Sequence, residues 1–371
     1  MQNEIVKITK KLIEFKTVED NKDEILRCFD YIEKYFSNEI ESGKIIKKDY
    51  TKDGVSSVVF SNSNTLNFDI ILSGHIDVVR AEDKDFVPSV KEGRLYGRGV
   101  ADMKSEVATM MTIFKNVSNI KTNKSIALMI TSDEEMGGKR GTNFLVNEIG
   151  YRSKVVILPD GGFNFKLVTE AKGGMWIKLT SFGKSAHASR PWQGENAISK
   201  LIDSHGEFMK SIPFEKMASP LFKEGISINL GKMSGGKSLN SVPSEAEMYY
   251  DIRYSTQADR EMIVSKISEL TKKNTIRFEI LEDVNIFKVD LDNYYIKKFR
   301  QVFQKNIKQS ISLEKEIGGS DARIFSEKDI PVIMLMPNCG NTHKDNEWVE
   351  IESLKKFHTV IEQFISEIIN K

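Results

Sequence analysis

Apolar positions along this chain keep two different rhythms, and their alternation predicts the architecture. Between residues 4 and 15, Ile5, Ile8, Leu12 and Phe15 recur three or four apart, the spacing of one helix face. Short unbroken apolar runs follow at residues 58–60, 69–72, 126–130 and 155–158, each of strand length. Helical spacing returns between them over 105–114 and 141–149. Strands alternating with helices predict an α/β sheet, whose ligand sites form at the carboxyl ends of the strands.

The pattern changes character at Lys172-Gly173-Gly174. From there residues 175–179, 226–230, 246–254 and 275–281 read as strands, with helical stretches at 197–209 and 259–272 among them. This predicts a compact α+β insertion, residues 173–285, inside a discontinuous domain made of residues 1–172 and 286–371. A helix over 294–303 leads to an apolar strand over 331–336. A last helix turns Leu354, Phe357, Ile361, Phe364, Ile365 and Ile368 inward.

Composition narrows the class. Hydrophobic residues make up 40% of 371, enough to bury a core in each of two domains. Basic and acidic residues balance at 54 against 53, with no basic stripe or polybasic tail, which argues against nucleic-acid and membrane-surface roles. The first residues carry no signal-peptide pattern, and the longest apolar runs fall short of a membrane span. Two distant cysteines, Cys28 and Cys339, make no disulfide framework. A cytoplasmic protein is expected.

Five short segments hold residues that carry chemistry. In Ser73-Gly74-His75-Ile76-Asp77, an extended chain turns His75 and Asp77 to the same side. A carboxylate beside an imidazole fixes the tautomer of a ligand histidine; the same pair also suits a satisfied histidine at a strand end. Gly97-Arg98-Gly99-Val100-Ala101-Asp102-Met103-Lys104 delivers Asp102 just before a helix, as an N-cap or as a ligand bridging two cations. Its spacing fits neither phosphate-loop pattern. Ser132-Asp133-Glu134-Glu135 follows a buried-looking run. Neighbouring Glu134 and Glu135 diverge in an extended chain, so one can hold metal while the other moves protons. Asp160 ends the next strand, and His343, with Glu347 four residues on, follows the last one. Singly, each is as well read as surface or loop. Together, imidazole mixed with hard oxygen donors suits zinc, cobalt or manganese.

In this order the segments resemble the dinuclear metallopeptidases that include aminoacylase, acetylornithine deacetylase, succinyl-diaminopimelate desuccinylase and carboxypeptidase G. Further matching motifs are Gly183-Lys184-Ser185-Ala186-His187, Leu239-Asn240-Ser241-Val242-Pro243 and Gly318-Gly319-Ser320-Asp321-Ala322-Arg323, so nearly the whole chain is covered. The resemblance implies a mixed-sheet, aminopeptidase-like catalytic domain with an inserted α+β lid and dimerisation domain. It implies two divalent metal ions, zinc first, cobalt or manganese otherwise. His75 and Asp160 would bind one ion, Glu135 and His343 the other, and Asp102 would bridge. Asp77 would orient His75, and Glu134 would serve as general base toward water. His187 would reach across a homodimer to the oxyanion. Asn240, Arg253, Gly319 and Ser320 are similar to substrate-binding positions, with Arg253 a clamp for a carboxylate.

The implied reaction is cleavage of the amide bond in an N-acyl amino acid or a short peptide. Asp160 is aspartate in several peptidase branches, whereas the Gly-Gly-Ser-Asp-Ala-Arg stretch resembles the deacylases, so the substrate stays open between them. Two rivals stand beside this reading. One is a metal-binding dimeric scaffold without catalysis, which the presence of Glu134 opposes. The other is a dinuclear phosphoesterase, for which Arg98, Lys104 and Arg253 would have to form a phosphate pocket. His205, His358 and Cys339 read as structural.

Overall fold

The apolar runs at 58–60, 69–72, 126–130 and 155–158 all enter one six-stranded sheet of the computed structural model, which describes residues 2–370. The strand order is Ile46–Lys52, Val55–Ser61, Ile126–Thr131, Asn67–His75, Arg152–Ile157 and Val332–Ile333. The first three strands join antiparallel and the last four parallel, so the sheet is mixed. Every residue of Ile126–Thr131 is buried. A strand covered on both faces needs no polar alternation, which is why its sequence is an unbroken apolar run. The helix Ser105–Ser118 packs on this sheet, against Gln2–Glu14 and the final helix Ile351–Ile369.

Several elements differ from the sequence reading. Helix Lys22–Tyr35 buries Ile25, Cys28 and Ile32 three and four apart, a helical stripe that was legible but not read as one. Ile46–Lys52 is a polar edge strand, with no alternation to betray it. Its hairpin partner begins at Val55 after Asp53 and Gly54, both at positive φ (49° and 79°), the pairing that Asp-Gly turns favour. The strand expected over 331–336 pairs as sheet only at Val332–Ile333; beyond it Met334 and Met336 accept backbone bonds from Val168 and Phe165.

The chain divides into two compact units. The first comprises Met1–Thr169, Lys288–Glu316 and Ser320–Lys371; the second comprises Glu170–Phe287 and Ile317–Gly319. The second unit contains a four-stranded antiparallel sheet in the order Ser227–Gly235, Glu245–Tyr254, Gly173–Phe182, Ile276–Val284. Glu245–Tyr254 alternates in burial, so one face carries the core and the other stays wet. Helices Ala197–Ser211 and Gln257–Asn274 cover the buried face, closing Met175, Ile177, Leu201, Phe208, Tyr250 and Ile263 into one cluster.

An aromatic knot ties the N-terminal helices to the main sheet. Phe36 is fully buried, its ring 4.9 Å from Phe60, 5.7 Å from Phe114 and 5.1 Å from Tyr35. Removing such a ring leaves a cavity in close-packed surroundings. Phe36→Ala should therefore cost about 3–5 kcal/mol in urea unfolding. A loss below about 1 kcal/mol would show that the knot relaxes to fill the space.

Candidate active site

Three parallel strands end side by side, and their ends carry the chemistry. His75 closes Asn67–His75, in register with Thr131, from which the chain runs to Glu134 and Glu135. Leu72 pairs with Ile157, three residues before Asp160. Asp102 comes from the loop before the helix Ser105–Ser118, and His343 from the loop before strand Trp348–Glu350. Gly99 is required in the first loop: its φ is +75°, and a Cβ there would stand 2.5 Å from the Val78 side chain. The Asp102–Met103 peptide is cis.

These loops bring seven side chains together. His75 Nε2 lies 3.1 Å from Asp102 Oδ1, and 3.9 Å from both Glu134 Oε2 and Asp160 Oδ1. His343 Nε2 lies 3.1 Å from Asp102 Oδ2 and 3.0 Å from Glu135 Oε1. Two sets of donors result, His75 with Glu134 and Asp160, and Asp102 with Glu135 and His343. On the far side of His75, Nδ1 lies 3.1 Å from the Asp77 carbonyl and 3.4 Å from its Oδ1. Asp77 Oδ2 accepts the Glu135 N–H at 3.0 Å, so one carboxylate braces both loops.

The electrostatics follow from burial among like charges. Burial, with Asp160 alongside, pushes the Glu134 carboxyl well above the usual carboxylate range. Burial also raises Asp160 to about 6, although the bond to His75 opposes it. Burial disfavours charge on His75, but the carboxylates of Asp102, Asp160 and Asp77 around it hold its imidazole well above the ordinary value. His343, bonded to Asp102 and Glu135, is raised to about 10. Asp102 is held low: burial works to raise it, and the bonds from His343 and His75 outweigh that.

Five carboxylates against two imidazoles is a donor set short of positive charge. Asp77 Oδ1 is buried without a hydrogen-bond partner. Such hard oxygens mixed with imidazole nitrogen match the preferences of divalent zinc, manganese or cobalt, so these residues fit a pair of metal ions.

The other expected site residues are dispersed. Ser320 is buried near Asp160, and its hydroxyl works to hold that carboxyl down. Gly319 falls in the short Ile317–Gly319 segment of the second unit. His187 and Asn240 are exposed in that unit on neighbouring segments, where His187 bridges Ser241 and Ala188 donates to the Asn240 carbonyl. His187 Nδ1 accepts the Ser189 N–H at 3.2 Å, which leaves the proton of a neutral ring on Nε2. Arg253 holds Asp251 with two bonds, at 2.6 and 2.8 Å.

The three cations that a phosphate pocket would need are all engaged. Besides Arg253 with Asp251, Arg98 is buried against Glu347 at 2.7 Å, and Lys104 donates to the Phe15 carbonyl at 2.8 Å. Glu347, four residues beyond His343, bonds four donors of the Asp102 loop, a role its place in the sequence does not suggest. Asp133 and Asp321 were likewise unassigned. Both are buried, and burial with Asp321 nearby raises Asp133 to about 6.

Residues 71–367 match the model for peptidase family M20/M25/M40. The chain belongs to that family. It is accordingly a metal-dependent hydrolase of amide or peptide bonds. A succinyl-diaminopimelate desuccinylase of Buchnera aphidicola subsp. Cinara cedri is 27% identical over 319 residues, covering 80% of this chain and 83% of that protein. The crystal structure of a tripeptidase from Staphylococcus aureus shares the fold, with a TM-score of 0.78 at 20% identity, covering 100% of this chain and 99% of that one. A dinuclear metal-binding peptidase of the same family from Bacillus subtilis matches with a TM-score of 0.69 at 13% identity, covering 100% and 98%. Among the described residues, no helix is long and apolar enough to cross a membrane.

The turn behind Glu134 and Glu135 offers a test of this packing. Gly138 has φ +65°, and a Cβ there would stand 2.1 Å from the buried Asp321 Oδ1. Gly138→Ala should strain the turn by about 1–3 kcal/mol, lowering the melting temperature and, by moving Glu134, the turnover. Unchanged melting and turnover together would mean that Asp321 yields freely.

Proposed function

We propose that this chain holds two divalent metal ions and uses them to split the amide bond of an N-acyl amino acid or a short peptide. The observation that carries the reading is Asp102. Its two oxygens face different imidazoles at 3.1 Å each, the geometry a carboxylate needs to bridge two cations. His75 and Asp160 would complete one ion's ligands, and Glu135 and His343 the other's. Zinc is the preferred ion, with cobalt or manganese as substitutes. The names borne by relatives and structural neighbours, a desuccinylase and a tripeptidase, support the two halves of the substrate class.

When bound, such ions polarise the scissile carbonyl and make water a stronger acid. The protein's own groups do the rest. The Asp77 carbonyl accepts the Nδ1–H of His75, with the Asp77 carboxylate alongside, which turns the Nε2 lone pair toward the cluster. Glu134, desolvated but next to His75, accepts the proton of the attacking water and passes it to the leaving nitrogen. His187, its Nε2 carrying the proton, donates to the oxyanion from a second copy of the chain, so that the working enzyme is a homodimer. Its exposure and fixed tautomer support that role. Asn240, Arg253, Gly319 and Ser320 position the substrate. Two buried free thiols, Cys28 and Cys339, support a reducing cytoplasm.

Glu134→Gln keeps the shape and removes the base. Turnover should fall by roughly 10²–10⁴-fold while metal content and circular dichroism hold steady. Retention of more than about a tenth of wild-type turnover would remove Glu134 from the role of base. His187→Ala should lose about 2.7–4 kcal/mol of transition-state stabilisation, seen in kcat with little change in KM. Mixing the two inactive variants tests the shared site: heterodimers assemble one intact site and should regain a fraction of wild-type activity. Confirmed subunit exchange without recovered activity would confine His187 to its own chain.

A further inference from the structure

The loop that delivers Asp102 has few partners of its own. Arg98 N–H bonds to the Asp85 carbonyl at 2.7 Å, Val100 N–H to the Gly97 carbonyl at 3.1 Å and Lys104 N–H to the Gly99 carbonyl at 2.7 Å, but the turn Val100–Lys104 is broken by non-helical φ/ψ at Asp102 and Met103. Its remaining donors converge on one side chain. Glu347 Oε2 accepts Arg98 Nη1 at 2.7 Å and the Gly99 N–H at 3.0 Å; Oε1 accepts the Ala101 N–H at 2.8 Å and the Asp102 N–H at 3.2 Å. The Glu347 carbonyl also accepts the Gly97 N–H at 3.1 Å. Both members of the Arg98–Glu347 pair are almost wholly buried, at 4% and 2% exposure.

Both ends of this contact are anchored. Trp348 pairs with Tyr96 and Glu350 with Arg94, so the strand after Glu347 runs beside the strand before Gly97. Glu347 also lies four residues after His343 in the same loop. One buried carboxylate therefore links the loop of His343 to the loop of Asp102, the two residues that face each other at 3.1 Å.

We propose that Glu347, clamped by Arg98, is a positioning residue that sets the Asp102 carboxylate between His75 and His343 and so tunes metal binding. The proposal rests on the two-metal reading above. Arg98 places a positive charge 2.7 Å from Glu347 in a buried setting, the partner a buried carboxylate needs. Ionised, its two oxygens can each take two donors, which a neutral amide cannot. In Glu347→Gln one end of the side chain becomes NH₂ and meets two N–H groups head on. Those donors lose their acceptor, the Gly99–Asp102 backbone shifts, and the bridging geometry loosens.

The test uses Co²⁺ added to metal-stripped full-length protein, followed by calorimetry and by the visible absorption of bound cobalt. Wild type should take two ions per chain. Glu347→Gln, and the milder Arg98→Lys, should keep their circular dichroism and cooperative melting. At least one of the two ions should bind about 10–100-fold more weakly in each variant. A merely structural role would lower the melting temperature and leave the affinity of the folded protein unchanged. A folded variant that takes both ions with wild-type affinity overturns the proposal. Failure of both variants to fold overturns it too, by making Glu347 a folding determinant. If wild type itself takes no cobalt, the two-metal reading falls first and this proposal with it.

Discussion

Five carboxylates crowd the ends of three neighbouring parallel strands, and holding them there is the constraint on which the rest of the structure depends. Like charges at such distances repel, and burial deepens the cost because water is not there to screen them. Compensation here comes from two sources. Imidazoles stand between the carboxylates, as at Asp102 between His75 and His343. Backbone N–H groups cover others, as where Asp77 takes the Glu135 N–H. What remains uncompensated shows in Glu134 and Asp160, whose carboxyls burial pushes up. A pair of divalent cations would supply directly what these devices supply piecemeal.

The scaffold that meets this demand has to be rigid. The sheet beneath is buried on both faces, with Ile70, Ile71 and Leu72 and all of Ile126–Thr131 out of solvent. Apolar packing of that kind fixes the strand ends, and the strand ends fix the first atoms of each loop. The loops are then finished by specific contacts, the Gly99 turn, the Gly138 turn over Asp321, and the Glu347 carboxylate under the Asp102 backbone. None of these is needed to fold a generic α/β sheet. Each bears on where Asp102, Glu134 or Glu135 stands.

Much of this was legible in the sequence, and the physical reason differs by element. Strands covered on both faces betray themselves as apolar runs, and His75, Glu134, Glu135 and Asp160 follow them directly, which made them candidates without giving any of them a role alone. Asp102 and His343 needed the combination of motifs, since a glycine-rich turn or a lone histidine has many uses. The edge strand Ile46–Lys52 left no pattern because its side chains are neither clearly in nor clearly out. Glu347 was invisible as a clamp for a different reason. Three of its four donors are backbone N–H groups about 250 positions earlier, and backbone contacts leave no mark in the sequence. Arg98 stood as a candidate only for the rival phosphate pocket, and its buried partner Glu347 lies too far along the chain to be read from sequence.

Under the proposed reading, Arg253 would be engaged and still serve recognition. Its guanidinium already grips Asp251 through two bonds, which at first sight removes it as a clamp for a substrate carboxylate. The pair is only partly buried, with side-chain exposures of 31% and 35%. Ion pairs open to water contribute roughly 0–1 kcal/mol, so releasing Asp251 costs little. A substrate carboxylate offered in its place makes the same bidentate contact, and the exchange is close to neutral in the pair itself. The balance is then set by what surrounds the substrate. A ligand without a carboxylate leaves the Arg253–Asp251 pair undisturbed and gains nothing from it. Under the proposed reading, Asp251 keeps Arg253 extended and paired until a carboxylate arrives. Selectivity at this position would then come from the geometry of the fork rather than from an unpaired charge waiting in solvent.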